Sequence, residues 1–478
     1  MNKRTLGIIG GLGALAGADL FGKLLKAHTA GHAETELHFL LEQHPFRGAG
    51  TSLEQDSNVI ARKLYVFETG RTLIQRGVDT ILLPCFASHV FRDEIQTELE
   101  APVLDMMDAL SQYVAARIAP GSRLGVLTSD YVRHAGLFER YFGEHYQLIY
   151  PSSLEQEGLM EAVYGTRGLQ VGGADKAVIE LVSRACHQLQ EQQADLLLPG
   201  FTELAMVAAE MQRFGIALAD INEIYAEYAL LHQREVTSAP FKLGIVGGVG
   251  PAATVDFMNK VIHNTPATRD QDHIKMVVEQ NPQIPDRTAN LLRGETDPTV
   301  AMLSTCKRLE ADGAHAIAIP CNTAHAFVPS IQPYLSVPVV HMLEETIGYI
   351  RKHYGTARPV GLLATSGTVQ SRVYHTIADA AGLTLLIPDP THQNLVMEAI
   401  YGEQGVKAGY TTGRCKEELL AAAAHLADSG AQVLVLGCTE LPLILPQCER
   451  FKLGDSTVAL IDPTEILARR CVELAYAH

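Results

Sequence analysis

Two cysteines in the C-terminal half of the chain sit among residue types suited to moving a proton at carbon. Cys321 follows an apolar run ending at Ile319-Pro320, and Asn322, Thr323 and His325 come directly after it. Cys438 follows Leu436-Gly437, with Thr439 and Glu440 next. A thiolate on one side of a carbon can take its proton, and a thiol on the far side can deliver another, which inverts the centre. A thiol at a helix N-terminus has a lowered pKa, which enlarges its thiolate fraction. Hydroxyls and an amide lie beside the thiols in sequence. With backbone N–H groups of the glycine loop 247–250, they suit a carboxylate and the enolate-like charge formed when its α-proton leaves.

The elements that must position these groups occur twice. Leu6-Gly-Ile-Ile-Gly-Gly-Leu-Gly13 returns as Leu243-Gly-Ile-Val-Gly-Gly-Val-Gly250. Leu83-Pro-Cys-Phe-Ala-Ser-His89 returns as Ile319-Pro-Cys-Asn-Thr-Ala-His325, and Glu161-Ala-Val-Tyr-Gly165 as Glu398-Ala-Ile-Tyr-Gly402. A constant offset across such distant motifs predicts two copies of one fold. The join falls near 232–240, where polar residues and Ser-Ala-Pro break the pattern. In the second half, 242–246, 274–279, 316–319, 337–340, 360–363, 383–387 and 432–436 read as strands. They are nearly continuous in apolar, often β-branched residues, as strands covered on both faces are. Amphipathic stretches separate them, which is the pattern of a parallel α/β sheet. Pro338-Val-Val-His341 echoes Ala459-Leu-Ile-Asp462. The expected architecture is therefore α/β, a tandem repeat in which each half is two similar parallel-sheet lobes with a cleft between them. Such sheets bind ligands at the C-terminal ends of their strands. Cys321 and Cys438 occupy those ends, one in each lobe.

The second half resembles the aspartate/glutamate racemase superfamily of cofactor-independent, two-cysteine enzymes. The resemblance rests on Gly247-Gly-Val-Gly-Pro-Ala-Ala-Thr254, Pro320-Cys-Asn-Thr-Ala-His325 and Gly437-Cys-Thr-Glu-Leu441, in that order. It implies that Cys321 and Cys438 are the paired acid and base. It also implies that Asn322, Thr323 and Thr439 hold the α-carboxylate region, helped by Thr365, Thr368 and the Gly250 loop. Gln280-Asn-Pro-Gln-Ile-Pro-Asp-Arg-Thr288 and Gly405-Val-Lys-Ala-Gly409 resemble the aspartate branch, in which Arg287 and Lys407 bind the distal carboxylate. Arginine suits that task because its fork matches a carboxylate. His325 and Glu440 are expected behind these groups, orienting or supporting them.

The first half keeps Cys85 and His89 but departs elsewhere. Phe86 answers Asn322, Ala87 answers Thr323, Phe201 answers Cys438 and Gln170 answers Lys407. Arg47 could substitute for Arg287, but its register is off by three. Residues 1–236 are thus expected to be a degenerate racemase-like domain with a structural role, and 240–478 the catalytic domain. Members of the family commonly pair, so the tandem chain is expected to be an intramolecular pseudo-dimer. A rival role for the first half is a retained, more apolar pocket that binds something else.

Composition narrows the partners. With 38 Lys and Arg against 54 Asp and Glu, the formal charge of −16 disfavours nucleic acid and anionic membranes. Aromatics are 6 % and Trp is absent, so base-stacking platforms are not expected. Apolar stretches are too short to span a bilayer. The Gly-rich run from Leu6 to Ala18 imitates a secretory signal, but its recurrence at 243–258 reads as structure. Eight scattered cysteines without a Cys-x-x-Cys pair fit a reducing, cytoplasmic setting. Cys186, Cys306, Cys415, Cys448 and Cys471 are expected as small core hydrophobes. No metal and no cofactor are expected. Cys-x-x-x-His lacks a second ligand pair, and Gly248-Val-Gly-Pro-Ala-Ala253 is only a loose dinucleotide fingerprint. The expected ligand is a small amino acid, aspartate ahead of glutamate. The alternatives are a single-cysteine isomerase or decarboxylase of small dicarboxylates, and a non-catalytic dicarboxylate-binding protein.

Overall fold

The computed structural model describes residues 4–31, 37–44, 46, 56–232 and 240–478. Two compact units divide the chain, Met1–Ala239 and Pro240–His478.

The first unit contains strands β1 (Arg4–Ile9), β2 (Leu37–Glu42), β3 (Thr80–Leu82), β4 (Val103–Leu104), β5 (Arg123–Thr128), β6 (Gln147–Ile149) and β7 (Leu196–Gly200). They form two sheets, ordered β2-β1-β3-β4 and β6-β5-β7, with every pairing parallel. The signal-like N-terminal run is split between β1 and the helix Ala14–Gly31, as the repeat required.

The second unit contains β8 (Lys242–Gly247), β9 (Lys275–Gln280), β10 (Ala316–Ala318), β11 (Val339–Val340), β12 (Val360–Ala364), β13 (Leu385–Leu386), β14 (Val433–Gly437), β15 (Cys448–Leu453) and β16 (Ser456–Ile461). One lobe is the parallel sheet β11-β10-β8-β9, and the other is β13-β12-β14-β16-β15. The central strands β8, β10, β12 and β14 are buried almost throughout, which explains their continuous apolar runs. The internal echo is also physical. His341 caps the helix Met342–Tyr354 after β11, and Asp462 caps the helix Pro463–Ala477 after β16.

The all-parallel expectation needs one correction. β15 runs antiparallel to β16 at the sheet edge, and the two strands are joined by Gly454-Asp455. Glu449, Arg450 and Lys452 are the polar, exposed residues of an edge strand, so β15 lacks the apolar signal of its neighbours. Cys448 lies on it and is only half-buried, whereas Cys186, Cys306, Cys415 and Cys471 are core residues. Among the described residues no helix is long and apolar enough to cross a membrane.

Strand register places the loops that matter. Leu243, Gly244 and Ile245 of β8 lie beside Ala316, Ile317 and Ala318 of β10, so the glycine loop and the Cys321 loop leave one edge together. Val360 pairs with Val433 and Ala364 with Gly437, so Thr365 and Cys438 emerge side by side from the other lobe.

Candidate active site

A small, partly open cavity lies between the C-terminal strand ends of the second unit. Its wall includes Cys321, Asn322 and Thr323 after β10, Arg287 after β9, Thr365 after β12, and Cys438, Thr439 and Glu440 after β14. Lys407 enters from the short turn 406–408. The structure thus brings both cysteines and seven of the other sequence-selected residues to one cavity. Thr368, Gly250 and His325 stand behind it. Thr368 shares hydrogen bonds of 2.7 Å with Thr323 and 3.1 Å with Thr365, tying the loops of the two lobes together. Gly250 has φ +132°, and a Cβ there would lie 2.7 Å from Glu440 Oε1. Its task is to leave room for that carboxylate.

His325 is a strap. Its Nδ1 is 2.9 Å from the Cys321 carbonyl, and its Nε2 accepts the Met342 N–H at 3.1 Å. Both ring nitrogens are therefore taken by backbone. Burial and the neighbouring His341 push its pKa down to about 3, so the ring stays neutral. His89 makes the same pair of bonds to Cys85 and Met106 in the first unit.

The environment of the thiols differs from the helix-terminus expectation. Cys321 leads into the four-residue 3-10 turn Thr323–Ala326, and Cys438 precedes the three-residue turn Leu441–Leu443. Neither is long enough to carry a substantial dipole. The Cys438 thiol is in fact raised well above its ordinary pKa, first by complete burial and then by the Glu440 carboxylate. It donates to Glu440 Oε2 at 3.0 Å, while Lys407 Nζ donates to Glu440 Oε1 at 2.6 Å. Burial opposes the Glu440 charge, but Lys407 outweighs it and holds the carboxyl below its usual range. Cys438 is thus held as a thiol, ready to donate. On the other wall, burial opposes the Arg287 charge, yet Cys321 and Asp286 beside it raise its pKa. Side chains, not helix ends, supply the local field.

Two donors are left for a ligand. Asn322 Nδ2 and Arg287 Nε are buried and have no hydrogen-bond partner among the described residues. Buried polar groups without partners are costly, so an anion seated here satisfies both. Arg287 is aimed by its other nitrogens, which donate to the carbonyls of Ile284, Pro285 and Val249 at 3.1 to 3.3 Å. Asn322 is aimed by Tyr374, whose hydroxyl donates to Oδ1 at 2.6 Å and so turns the amide nitrogen away from itself. Sequence reasoning did not find Tyr374, and no motif around it announces its role. It also passed over Tyr401 and Thr288 on the wall, although Tyr401 lies in the repeated Glu-Ala-x-Tyr-Gly motif. Burial pushes the Tyr401 hydroxyl up to about 12.

The first unit has a corresponding small cavity that includes Cys85, Phe86, Gln170, Phe201 and Glu203. Phe201 stands where the second cysteine would be. Arg47, the expected substitute for Arg287, lies outside the described residues. Among the described residues one grouping, the exposed Asp389 with the half-buried His392 and His425, has ligand-like proximity, and none of its members lines either cavity.

Comparison with known proteins agrees with this architecture. The chain is 28% identical over 244 residues to the broad specificity amino-acid racemase RacX of Bacillus subtilis, covering 49% of this chain and 99% of that protein. It is 31% identical over 175 residues to a glutamate racemase of Koribacter versatilis, covering 35% of this chain and 55% of that protein. The solved aspartate racemase of Picrophilus torridus is 31% identical, covers 49% of this chain and 94% of its own, and superposes with a TM-score of 0.43. The Asp/Glu/hydantoin racemase profile matches twice, over residues 9–229 and 246–471. With both halves matched and nearly the whole length covered, the chain belongs to the Asp/Glu/hydantoin racemase family and carries its domain in tandem.

Proposed function

We propose that the second half racemises an acidic amino acid, aspartate first and glutamate second, by two-base proton transfer at the α-carbon between Cys321 and Cys438. The observation that carries the reading is the single cavity in which loops of two lobes place both cysteines among two cations, Arg287 and Lys407, and unpartnered donors. In one direction the Cys321 sulfur takes the α-proton and the carbon–hydrogen electron pair moves into the carboxylate. Asn322 and the threonine hydroxyls hold that enolate-like charge, while Arg287 and Lys407 take the distal carboxylate. The Cys438 thiol then gives its proton to the opposite face. Cys321 is left as a thiol and Cys438 as a thiolate, which is the form that accepts the other enantiomer. Lys407 compensates the charge on Cys438 in that form, and Glu440 accepts the thiol hydrogen bond in the first. This chemistry is proposed to need no cofactor.

In the first half Phe201 and Phe86 replace the second cysteine and the amide, so no inversion is proposed there. The test is proton NMR of L-aspartate and L-glutamate in D2O with the reduced full chain. The α-proton signal is expected to disappear as the D-enantiomer forms, faster for aspartate. No exchange with either amino acid would overturn the assignment. Exchange without inversion would favour a single-base isomerase or decarboxylase, and binding without exchange a dicarboxylate-binding protein.

A further inference from the structure

The cavity of the first unit is a built site, with chemistry unlike its counterpart. Its cation comes from within a long helix, whereas Arg287 opens the short helix Arg287–Arg293: Arg62, on the helix Asp56–Gln75, is only 4 % exposed. Arg62 Nη1 donates to Cys85 Sγ at 3.3 Å, and Ser88 Oγ donates to the same sulfur at 3.3 Å. The guanidinium lies 5.3 Å from the Phe46 ring centroid. Its Nε is buried and has no partner among the described residues. A guanidinium N–H held out of water in this way calls for an acceptor.

Two aromatic rings stand in the remaining wall where the second unit has polar groups, beside Ser129, Gln170, Thr202 and Glu203. Phe86 replaces the Asn322 amide and packs on Phe138, with centroids 5.7 Å apart. Phe201 replaces Cys438 and meets Tyr164 edge to face at 5.8 Å. Gln170 replaces Lys407 and donates to the Leu12 carbonyl at 3.3 Å. Glu203 keeps the place of Glu440 but lacks its lysine. Thr202 bonds it at 3.3 Å, and burial raises its carboxyl pKa, which favours the uncharged acid beside a bound anion.

We propose that this cavity binds a small monocarboxylate carrying an aromatic or branched apolar group. Arg62 takes the carboxylate, and Phe86, Phe201, Val132 and Tyr164 take the body. A second carboxylate would find no lysine in the place of Lys407, and inversion would find no second thiol.

Isothermal titration of the full chain with phenylacetate, and with phenylacetamide as its uncharged counterpart, tests this. Phenylacetate is expected to saturate one site per chain at millimolar concentration. Phenylacetamide is expected to bind roughly tenfold to a hundredfold more weakly, as the loss of a buried charge-assisted hydrogen bond predicts. Arg62→Gln should remove the preference, and Arg287→Gln should leave it. The absence of saturable phenylacetate binding, or equal binding of the amide, would overturn the proposal. So would loss in Arg287→Gln with retention in Arg62→Gln, which would place the ligand in the second unit. Should Arg62→Gln fail to fold by circular dichroism, the acid and amide pair on Arg287→Gln decides, since a preference retained there excludes the second unit. None of these outcomes depends on aspartate turnover.

Discussion

Replacing Lys407 by methionine isolates the charge pair that governs Cys438. The lysine is 28 % exposed at its side chain, while its partner Glu440 is 5 % exposed. Lys407→Met keeps the packing stem and leaves Glu440 with two neutral donors, Cys438 at 3.0 Å and Thr439 at 3.3 Å. Removing one partner of a buried pair costs about 3 to 5 kcal/mol, and the partial exposure of the lysine puts the expected loss near the lower figure. The loss depends on pH. In the native chain Glu440 is held below its ordinary pKa, so its stabilisation is present above the unfolded carboxyl pKa and fades as pH falls. Without Lys407, burial dominates and raises Glu440, so the variant is penalised increasingly as pH rises. Urea unfolding of both proteins should therefore show a gap that is small near about pH 4 and grows to about 3 kcal/mol near about pH 8. Lys407→Met/Glu440→Gln, with no charge left, should recover most of it. The same single variant should lower kcat/KM on aspartate by about 100-fold or more, since a cation beside the developing charge is gone. A gap that is flat in pH, or a double variant less stable than Lys407→Met, would refute this account of the pair.

Four further outcomes follow from the same geometry. Tyr374→Phe leaves Asn322 Oδ1 without its 2.6 Å donor and frees the amide to turn, so KM for aspartate should rise about 5- to 20-fold at a stability cost of about 1 kcal/mol. Steady-state kinetics and a thermal melt check it, and an unchanged KM would contradict it. Gly250→Ala should lower activity sharply, because its Cβ meets Glu440 Oε1 at 2.7 Å and its φ of +132° is strained for alanine. Gly13→Ala, whose Cβ would lie 2.5 Å from Glu203 Oε1, should perturb the first unit and leave racemisation intact. Cys85→Ala should racemise at the native rate, and a large loss would show that the first unit takes part in the chemistry.

Much of the fold was legible because both its signals are local. Strands covered on two faces must be continuously apolar, and β8, β10, β12 and β14 read that way. The paired motifs around Gly250, Cys321 and Cys438 marked strand ends that the register then brought together. What escaped depends on three-dimensional surroundings. The edge strand β15 is polar because one side faces water, so its residues imitate a loop. The state of Cys438 is set by total burial and by a glutamate and lysine that converge only on folding, and a sequence motif alone suggested the opposite shift. Tyr374 acts through one hydroxyl from a helix whose counterpart, Leu137–Phe142, carries Phe138 in its place, so the repeat itself does not mark it. Arg62 reaches Cys85 from a helix 23 residues earlier, outside every repeated strand-end motif.

The central claim is that two thiols address opposite faces of one carbon, and the most direct measurement is α-proton exchange by Cys321→Ala and Cys438→Ala in D2O, with each enantiomer of aspartate supplied separately. The account predicts that neither variant racemises. Each should exchange the proton of one enantiomer without inverting it, and the two variants should prefer opposite enantiomers. Normal racemisation by either variant, or the same enantiomer exchanged by both, would contradict it.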